Sequence, residues 1–434
     1  MLTRLDLRGV PAADLGSRLP PTVAEDEGPR AAVRDVLDAV RSGGDAAVRE
    51  LTARFDGVDV ATTRVPPEAA AAALEAVDPE VRAALEAAAA GIEDFHRHQV
   101  RPPSTYTRDG ITVTGRAQPV DRAGCYVPGG RALYPSTVLM TAIPALVAGV
   151  PEVALCVPPG PDGEVPGLTL AAAAVAGVDE VHRIGGAQAV AALAYGTESV
   201  APVDVIVGPG NVYVAEAKRQ VAGEGRVGVP SAFAGPSEVI VVADASADPA
   251  LAAVDVILQA EHGPGGRAWF ITWDDDVAAA VEAELVTQVA ASPRRDDVEA
   301  TFAAGGYLAL VADPAQAAAV ANLVAPEHLE VICTDEAAEA VVGAVRHAGA
   351  VFVGPWAPAS VGDYLAGPSH VLPTAGTARF GSALTVADFT KDIHVVTLDR
   401  DALVAVGPHV VALAEAEGLA AHADSVRRRL EAPS

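Results

Sequence analysis

Cysteine is scarce in this chain. Its 434 residues include only Cys125, Cys156 and Cys333, widely separated and with no CxxC. An odd, scattered set provides no disulfide framework and no thiolate zinc knuckle, and it fits a reducing compartment, so the cytoplasm is the expected location. Lysine is scarcer still, at Lys218 and Lys391, and Lys and Arg together number 30 against 57 Asp and Glu, a formal net charge of -27. A field of that sign repels phosphate backbones and anionic lipid, which argues against nucleic acid and membrane surfaces as partners. The opening residues MLTRLDLRGVPAADLG contain no continuous apolar segment of the secretory kind. The apolar stretch around 135–150 is interrupted by Pro144 and is short for a bilayer span, so it reads as a buried helix. No low-complexity linker divides the chain.

What is present is a large globular composition, 50% hydrophobic and 20% charged, on a chain too long for one ordinary core. Residues 21–100 read as helical, with apolar positions at helical spacing in 28–44 and 79–98 and Gly or Pro at their ends. From about 123 a strand-turn-helix unit repeats. Short apolar strands at 124–127, 152–157, 179–184 and 203–207 each end in glycine or proline and lead into a helix. The pattern then begins again with strands at 238–244, 268–273, 307–313, 329–334 and 350–354. Alternation of this kind predicts parallel sheets, and so an α/β fold of two Rossmann-like doubly wound halves with a helical N-terminal segment. From about 381 a strand region and helices at 407–418 and 419–430 form a small tail. The short acidic runs at 26 and 274 read as solvated loops.

The GxGxxG dinucleotide fingerprint is missing from the first sheet. In its place, GPGN at 208–211 ends a strand and opens a helix. Backbone amides at such a turn face a phosphate in open parallel sheets, although a plain tight turn uses the same residues. Tyr126, Gln188 and Asn211 all fall at strand ends of this one sheet, which suggests a ligand groove without naming the ligand.

The segment 258-LQAEHGPGG-266 closes a helix that Asp248 and Pro249 begin well. Gln259 and His262 are three apart and share a face of its last turn. A histidine there also complements the helix dipole, and that reading stands beside a ligand role. Asp363 and His370 lie in a Gly- and Pro-rich loop at 362–374, and Glu417 and His422 lie in the tail. Loop aspartates are commonly turn formers and tail histidines commonly solvated. Together, though, a Gln, an Asp and two His make a nitrogen and oxygen donor set suited to Zn²⁺ or a similar divalent ion. Glu327 and His328, just before a strand, are either a turn after Pro326 or a general acid/base pair.

Taken together these segments resemble the histidinol dehydrogenase family. The resemblance rests on YVPGG at 126–130, GGAQA at 185–189, GPGN at 208–211 with EAKRQV at 216–221, AGPSEV at 234–239, QAEHG at 259–263, PEHL at 326–329, GDY at 362–364, SHVLPT at 369–374 and AH at 421–422, in family order. It implies oxidation of L-histidinol to L-histidine with two NAD, the last step of histidine biosynthesis. It implies one zinc per subunit, bound by Gln259, His262, Asp363 and His422, in a homodimer with shared active sites whose tail ligand crosses from the partner. It implies Glu327 and His328 as catalytic residues, with Glu327 activating water and His328 acting as base in both half-reactions. Ser237, Gln259, His262, His328, Asp363, His370, Glu417 and His422 then contact substrate, and Tyr126, Gln188 and Asn211 contact NAD. The expected division is an arm at 1–24, a catalytic domain of 25–122 with 238–380, an NAD-side domain at 123–237, and a tail domain at 381–434 packed on the partner. Ser369 departs from the family pattern, which has Asn before the histidine.

Three other readings make different predictions. A thiol-dependent aldehyde dehydrogenase would use Cys125 as nucleophile, whereas a buried strand cysteine is a small hydrophobe. A zinc hydrolase has no use for the first sheet's groove. A non-catalytic two-lobed binding protein would leave substrate unchanged in the presence of NAD.

Overall fold

Apolar strands followed by glycine-ended turns fold here as parallel sheets with helices on both faces. The computed structural model describes residues 1–21, 29–130, 132–231, 235, 237–263 and 265–432. The expected boundary at 24, the acidic run at 26, and Ala234 and Pro236 of the AGPSEV segment lie outside the described residues. The strands are β1 (Thr3–Asp6), β2 (Ser104–Arg108), β3 (Ile111–Pro119), β4 (Arg122–Tyr126), β5 (Glu152–Val157), β6 (Glu180–Arg183), β7 (Val205–Val207), β8 (Glu238–Ala243), β9 (Arg267–Thr272), β10 (Gly306–Leu310), β11 (His328–Ile332), β12 (Ala350–Val353) and β13 (Thr390–Thr397).

Among the described residues the first parallel sheet has the order β6-β5-β4-β7 and the second β1-β10-β9-β8-β11-β12. In the first, Tyr126 pairs with Cys156 and Cys125 with Val207. In the second, His328 pairs with Val239 and with Ala350. Strand order reverses between β4 and β7 in one sheet and between β8 and β11 in the other, and such a reversal is where open parallel sheets form a ligand crevice at the carboxyl ends of their strands. The fully buried runs of β4, β8 and β11 explain why these strands read as continuous rather than alternating in hydrophobicity.

The N-terminal helices sit elsewhere than the expected division placed them. Val33, Val36, Leu37, Val40, Val48 and Leu51 of Pro29–Asp56 share a core with Ile184, Val190 and Val214 around the four-stranded sheet. Leu85, Ala88 and Ile92 of Pro79–Arg97 join Val138 and Leu139 in the core on its other side. These helices therefore extend the 123–237 unit rather than the 238–380 unit. Their apolar stripes meet the apolar helices Pro135–Val147 and Gly186–Tyr195, which present hydrophobic side chains all round. The N-terminal arm is built into the second sheet, with Thr3 to Asp6 pairing with Tyr307 to Leu310.

An antiparallel sheet of order β13-β3-β2 ties the start of the tail to the segment before β4. Beyond it, helices Arg400–Ala416 and Ala420–Glu431 pack on each other, with Gly407 beneath Val426 and Leu430. Ala402 touches the β2–β3 turn at Gly110, while Val404, Val410, Leu413 and Leu419 remain exposed. Among the described residues no helix is long and apolar enough to cross a membrane.

Candidate active site

The first crevice is a cavity of about 1060 Å³ between the carboxyl ends of the four-stranded sheet and helix Pro29–Asp56. Tyr126 at the end of β4, Gln188 in the helix after β6 and Asn211 after β7 all line it, as do Gly129, Gly130 and Gly186. Asn211 caps the helix Val212–Gly223, its side chain accepting from the N–H groups of Tyr213 and Val214 at 3.0 and 3.1 Å. Gly208 has φ +108°, and a β-carbon there would lie 2.0 Å from the Tyr126 carbonyl oxygen, so the turn needs glycine for both conformation and approach. Lys218 is buried and donates to the carbonyls of Gly208 at 2.6 Å and Ser231 at 3.2 Å, holding the turn from behind. Both polar atoms of the Gln188 side chain are buried without a partner, as a site awaiting a polar ligand would leave them. The residues expected to hold NAD fit that group.

The second group of candidate residues gathers at the amino ends of β8 and β11. Helix Pro249–Ala260 runs back along the sheet and brings Gln259 to the same edge, where Ser237 precedes β8 and Glu327 precedes β11. The Glu327 carboxylate accepts from the Glu238 N–H at 2.8 Å. His328 Nδ1 donates to the Glu238 carbonyl at 3.2 Å, which turns Nε2 toward Asp363 Oδ1, 3.5 Å away. Burial would lower the His328 pKa, but the charge of Glu327 and the interactions with Asp363 outweigh it and raise it to about 10. Burial would raise the Asp363 carboxyl, and His328, with His370 and His262 nearby, holds it below the ordinary value instead. His370 Nδ1 donates to the Asp363 carbonyl at 3.0 Å, leaving Nε2 to accept from the Thr137 hydroxyl at 3.1 Å. Its burial lowers the imidazole pKa, which favours the neutral form.

The structure thus gathers Glu327, His328, Asp363 and His370, with His262 near enough to act on Asp363. Gln259 is buried and its Oε1 has no hydrogen-bond partner, which fits a metal ligand. Glu417 and His422 lie exposed on the tail. Among the described residues no three His, Cys, Asp or Glu side chains are grouped to hold a metal ion. Ser369, buried, donates to the Met140 carbonyl at 2.9 Å and accepts from the Val371 N–H at 3.2 Å, so it carries the local bonding of its loop without an amide side chain.

Comparison with known proteins extends this picture to the whole chain. The family model described as histidinol dehydrogenase matches residues 22–430. The chain belongs to the histidinol dehydrogenase family. It is similar to the histidinol dehydrogenase of Rhizobium meliloti, 48% identical over 92% of each chain. It is also similar to that of Syntrophotalea carbinolica, 47% identical over 96% of this chain and 97% of the relative. The crystal structure of histidinol dehydrogenase from Elizabethkingia anophelis superposes with a TM-score of 0.92 at 32% identity, covering 99% of this chain and 98% of the other. The two-sheet architecture is therefore that of histidinol dehydrogenase.

Sequence reasoning missed several polar groups here. Glu238 is buried beside Glu327, and burial first, then the Glu327 charge, raises its carboxyl to about 7. Beneath His328, Glu330 and Asp255 are buried against each other, and burial raises both carboxyls. A charged residue inside an otherwise apolar strand was the available signal in EVIVVA and HLEVI. Asp255 stood in the open in the same way, inside the helix PALAAVDVILQA.

Proposed function

We propose that the chain oxidises L-histidinol through bound L-histidinaldehyde to L-histidine with two NAD. The observation that carries the reading is the Glu327–His328–Asp363 cluster at the amino edge of the second sheet, in a chain of this family from residue 22 to 430. NAD in the first sheet's cavity, against Tyr126, Gln188 and Asn211, supplies the hydride acceptor. Gln259, His262, Asp363 and the partner subunit's His422 would hold a zinc ion, which when bound would supply a fixed Lewis-acidic anchor for the substrate.

The chain's own residues do the proton chemistry. The bond from Nδ1 to the Glu238 carbonyl fixes the His328 ring so that Nε2 is the working nitrogen. Two carboxylates hold its proton in the resting chain, and with Asp363 engaged elsewhere His328 loses one of them and becomes a competent base for the substrate hydroxyl. Glu327, steadied by the Glu238 N–H, is placed to take a proton from water, giving the aldehyde hydrate from which the second hydride leaves. Ser237, His370 and, from the partner, the tail around Glu417 complete the substrate contacts. Support for a dimer with shared sites comes from the apolar face left open at Val404, Val410, Leu413 and Leu419 beside exposed Glu417 and His422.

The deciding assay follows NADH formation from L-histidinol before and after chelation and zinc restoration. Two NADH per histidinol, lost with the chelator and regained with zinc, are expected. A folded, zinc-loaded protein that forms no NADH from histidinol would sink the proposal.

A further inference from the structure

Asp56 ends the second of the two helical stretches of Pro29–Asp56, which break at Gly44, and lines the same cavity as Tyr126 and Gln188. Its carboxyl lies over the turn that follows β6. A β-carbon on Gly185 would meet Asp56 Oδ1 at 3.2 Å and the Pro158 side chain at 2.9 Å. Pro158 is the first residue past β5, so Asp56 sits beside the carboxyl end of the strand next to β4. In open parallel sheets that bind dinucleotides, this strand end is where a carboxylate receives the adenosine ribose hydroxyls. Here the loop after β5 lines the cavity with Pro158, Pro159, Gly160 and Pro161, while its acids, Asp162 and Glu164, are not among the lining residues. The carboxylate arrives instead from the N-terminal helix above.

Asp56 Oδ2 is buried and has no hydrogen-bond partner, and neither do Oε1 and Nε2 of Gln188. The Tyr126 hydroxyl, close enough to feel the Asp56 charge, accepts from the Gly186 N–H at 3.2 Å. Burial raises the Asp56 carboxyl to about 6, and no cation offsets it. Among the described lining residues the one cation is Arg54, whose guanidinium lies over the Phe55 ring at 5.1 Å, against the acids Asp35, Glu50 and Asp56. An unpaired carboxylate among unpaired amide atoms suits neutral vicinal hydroxyls and opposes a phosphate on them.

We propose that Asp56 selects the dinucleotide: its carboxylate accepts hydrogen bonds from the adenosine ribose diol and excludes the 2′-phosphorylated form. The inference rests on the NAD reading and goes beyond it by naming the residue that sets cofactor choice.

The test is calorimetric titration of the purified protein and of Asp56→Asn and Asp56→Ala with NAD and with NADP, alongside thermal unfolding to show that each variant is folded. Wild type is expected to bind NAD roughly 100-fold more tightly than NADP, on the scale of one lost charge-assisted bond plus charge repulsion. Asp56→Ala should lose ~10- to 100-fold in NAD affinity, the worth of bonds to a carboxylate. Asp56→Asn, which keeps an acceptor but no charge, should lose less for NAD and bring the NAD-to-NADP ratio to within about 10-fold. Folded variants with an unchanged ratio would overturn the role of Asp56 while leaving NAD binding intact. Wild-type protein that binds neither dinucleotide would overturn the cofactor reading itself, and this inference with it.

Discussion

The hydroxyl of Thr137 lies 3.1 Å from Nε2 of His370, and this bond joins the two halves of the molecule. Thr137 opens the helix that follows β4 at the carboxyl edge of the first sheet. His370 is bonded at its other nitrogen to Asp363, which reaches His328 at the amino edge of the second sheet. The helix at the carboxyl edge of the first sheet and the acid/base cluster are therefore joined by a short chain of polar contacts.

Thr137→Val should break that link while keeping the shape of the side chain. The His370 imidazole then loses its donor and with it a fixed orientation. A fall in kcat/KM for histidinol of about 10-fold is expected, the scale of one buried hydrogen bond, with NAD affinity unchanged. Steady-state kinetics with each substrate varied in turn separates the two, and a loss confined to NAD would contradict the role given to His370.

Glu327→Gln keeps an acceptor for the Glu238 N–H but removes the base. Oxidation of added histidinaldehyde should slow by ~100-fold or more, as for removal of a general base, and oxidation of histidinol to the aldehyde should slow far less. Single-turnover measurement of both half-reactions checks this. Equal slowing would mean that Glu327 acts mainly through His328.

His422→Ala should lose zinc, read as metal content, together with activity. Mixed with Glu327→Gln and reassembled, it should recover about one quarter of wild-type activity, because half the dimers are mixed and each mixed dimer has one intact site. No recovery in a verified heterodimer would place both residues in a site built from one chain.

Glu330 and Asp255 make a prediction about stability. Burial raises the Glu330 carboxyl above its ordinary value of 4.5, so the folded chain keeps a proton that the unfolded chain gives up. The unfolded state then binds fewer protons, and stability falls as pH rises from that value through neutrality. Glu330→Gln keeps an acceptor for the Ala359 N–H and should be more stable than wild type by on the order of 1 kcal/mol near neutral pH. Denaturant unfolding between acid and neutral pH would show the gap closing toward acid. A variant less stable at every pH would mean that the ionised pair is favourable.

Much of this was readable from the residues alone. Strands such as 152–157 and 238–243 were legible because burial on both faces leaves an unbroken apolar run between turns. The antiparallel sheet was harder to see. Ser104–Arg108 is exposed at every position, so no apolar alternation marks it, and its pairing with β3 is set by backbone bonds and the Asp109–Gly110 turn. The Thr3–Asp6 strand was hidden for a similar reason, as a short edge strand with little buried surface. At the site, Glu327, His328 and Asp363 were found by motif and do meet. The Asp56 carboxyl was not, because nothing in RFDG shows that a helix end will reach over a strand almost a hundred residues later. The grouping of the N-terminal helices failed on the same ground, since an amphipathic stripe states that a face is buried and not against which sheet.

The pairing of β1 with β10 also orders events in time. Residues 3–6 leave the ribosome first, yet the strand they join begins at Gly306. Until some seven-tenths of the chain has been synthesised, that segment has no ladder to complete, while the four-stranded unit already has all its strands. The earliest residues made are thus among the last to be placed, and the second unit's edge closes only after the first can stand folded beside it.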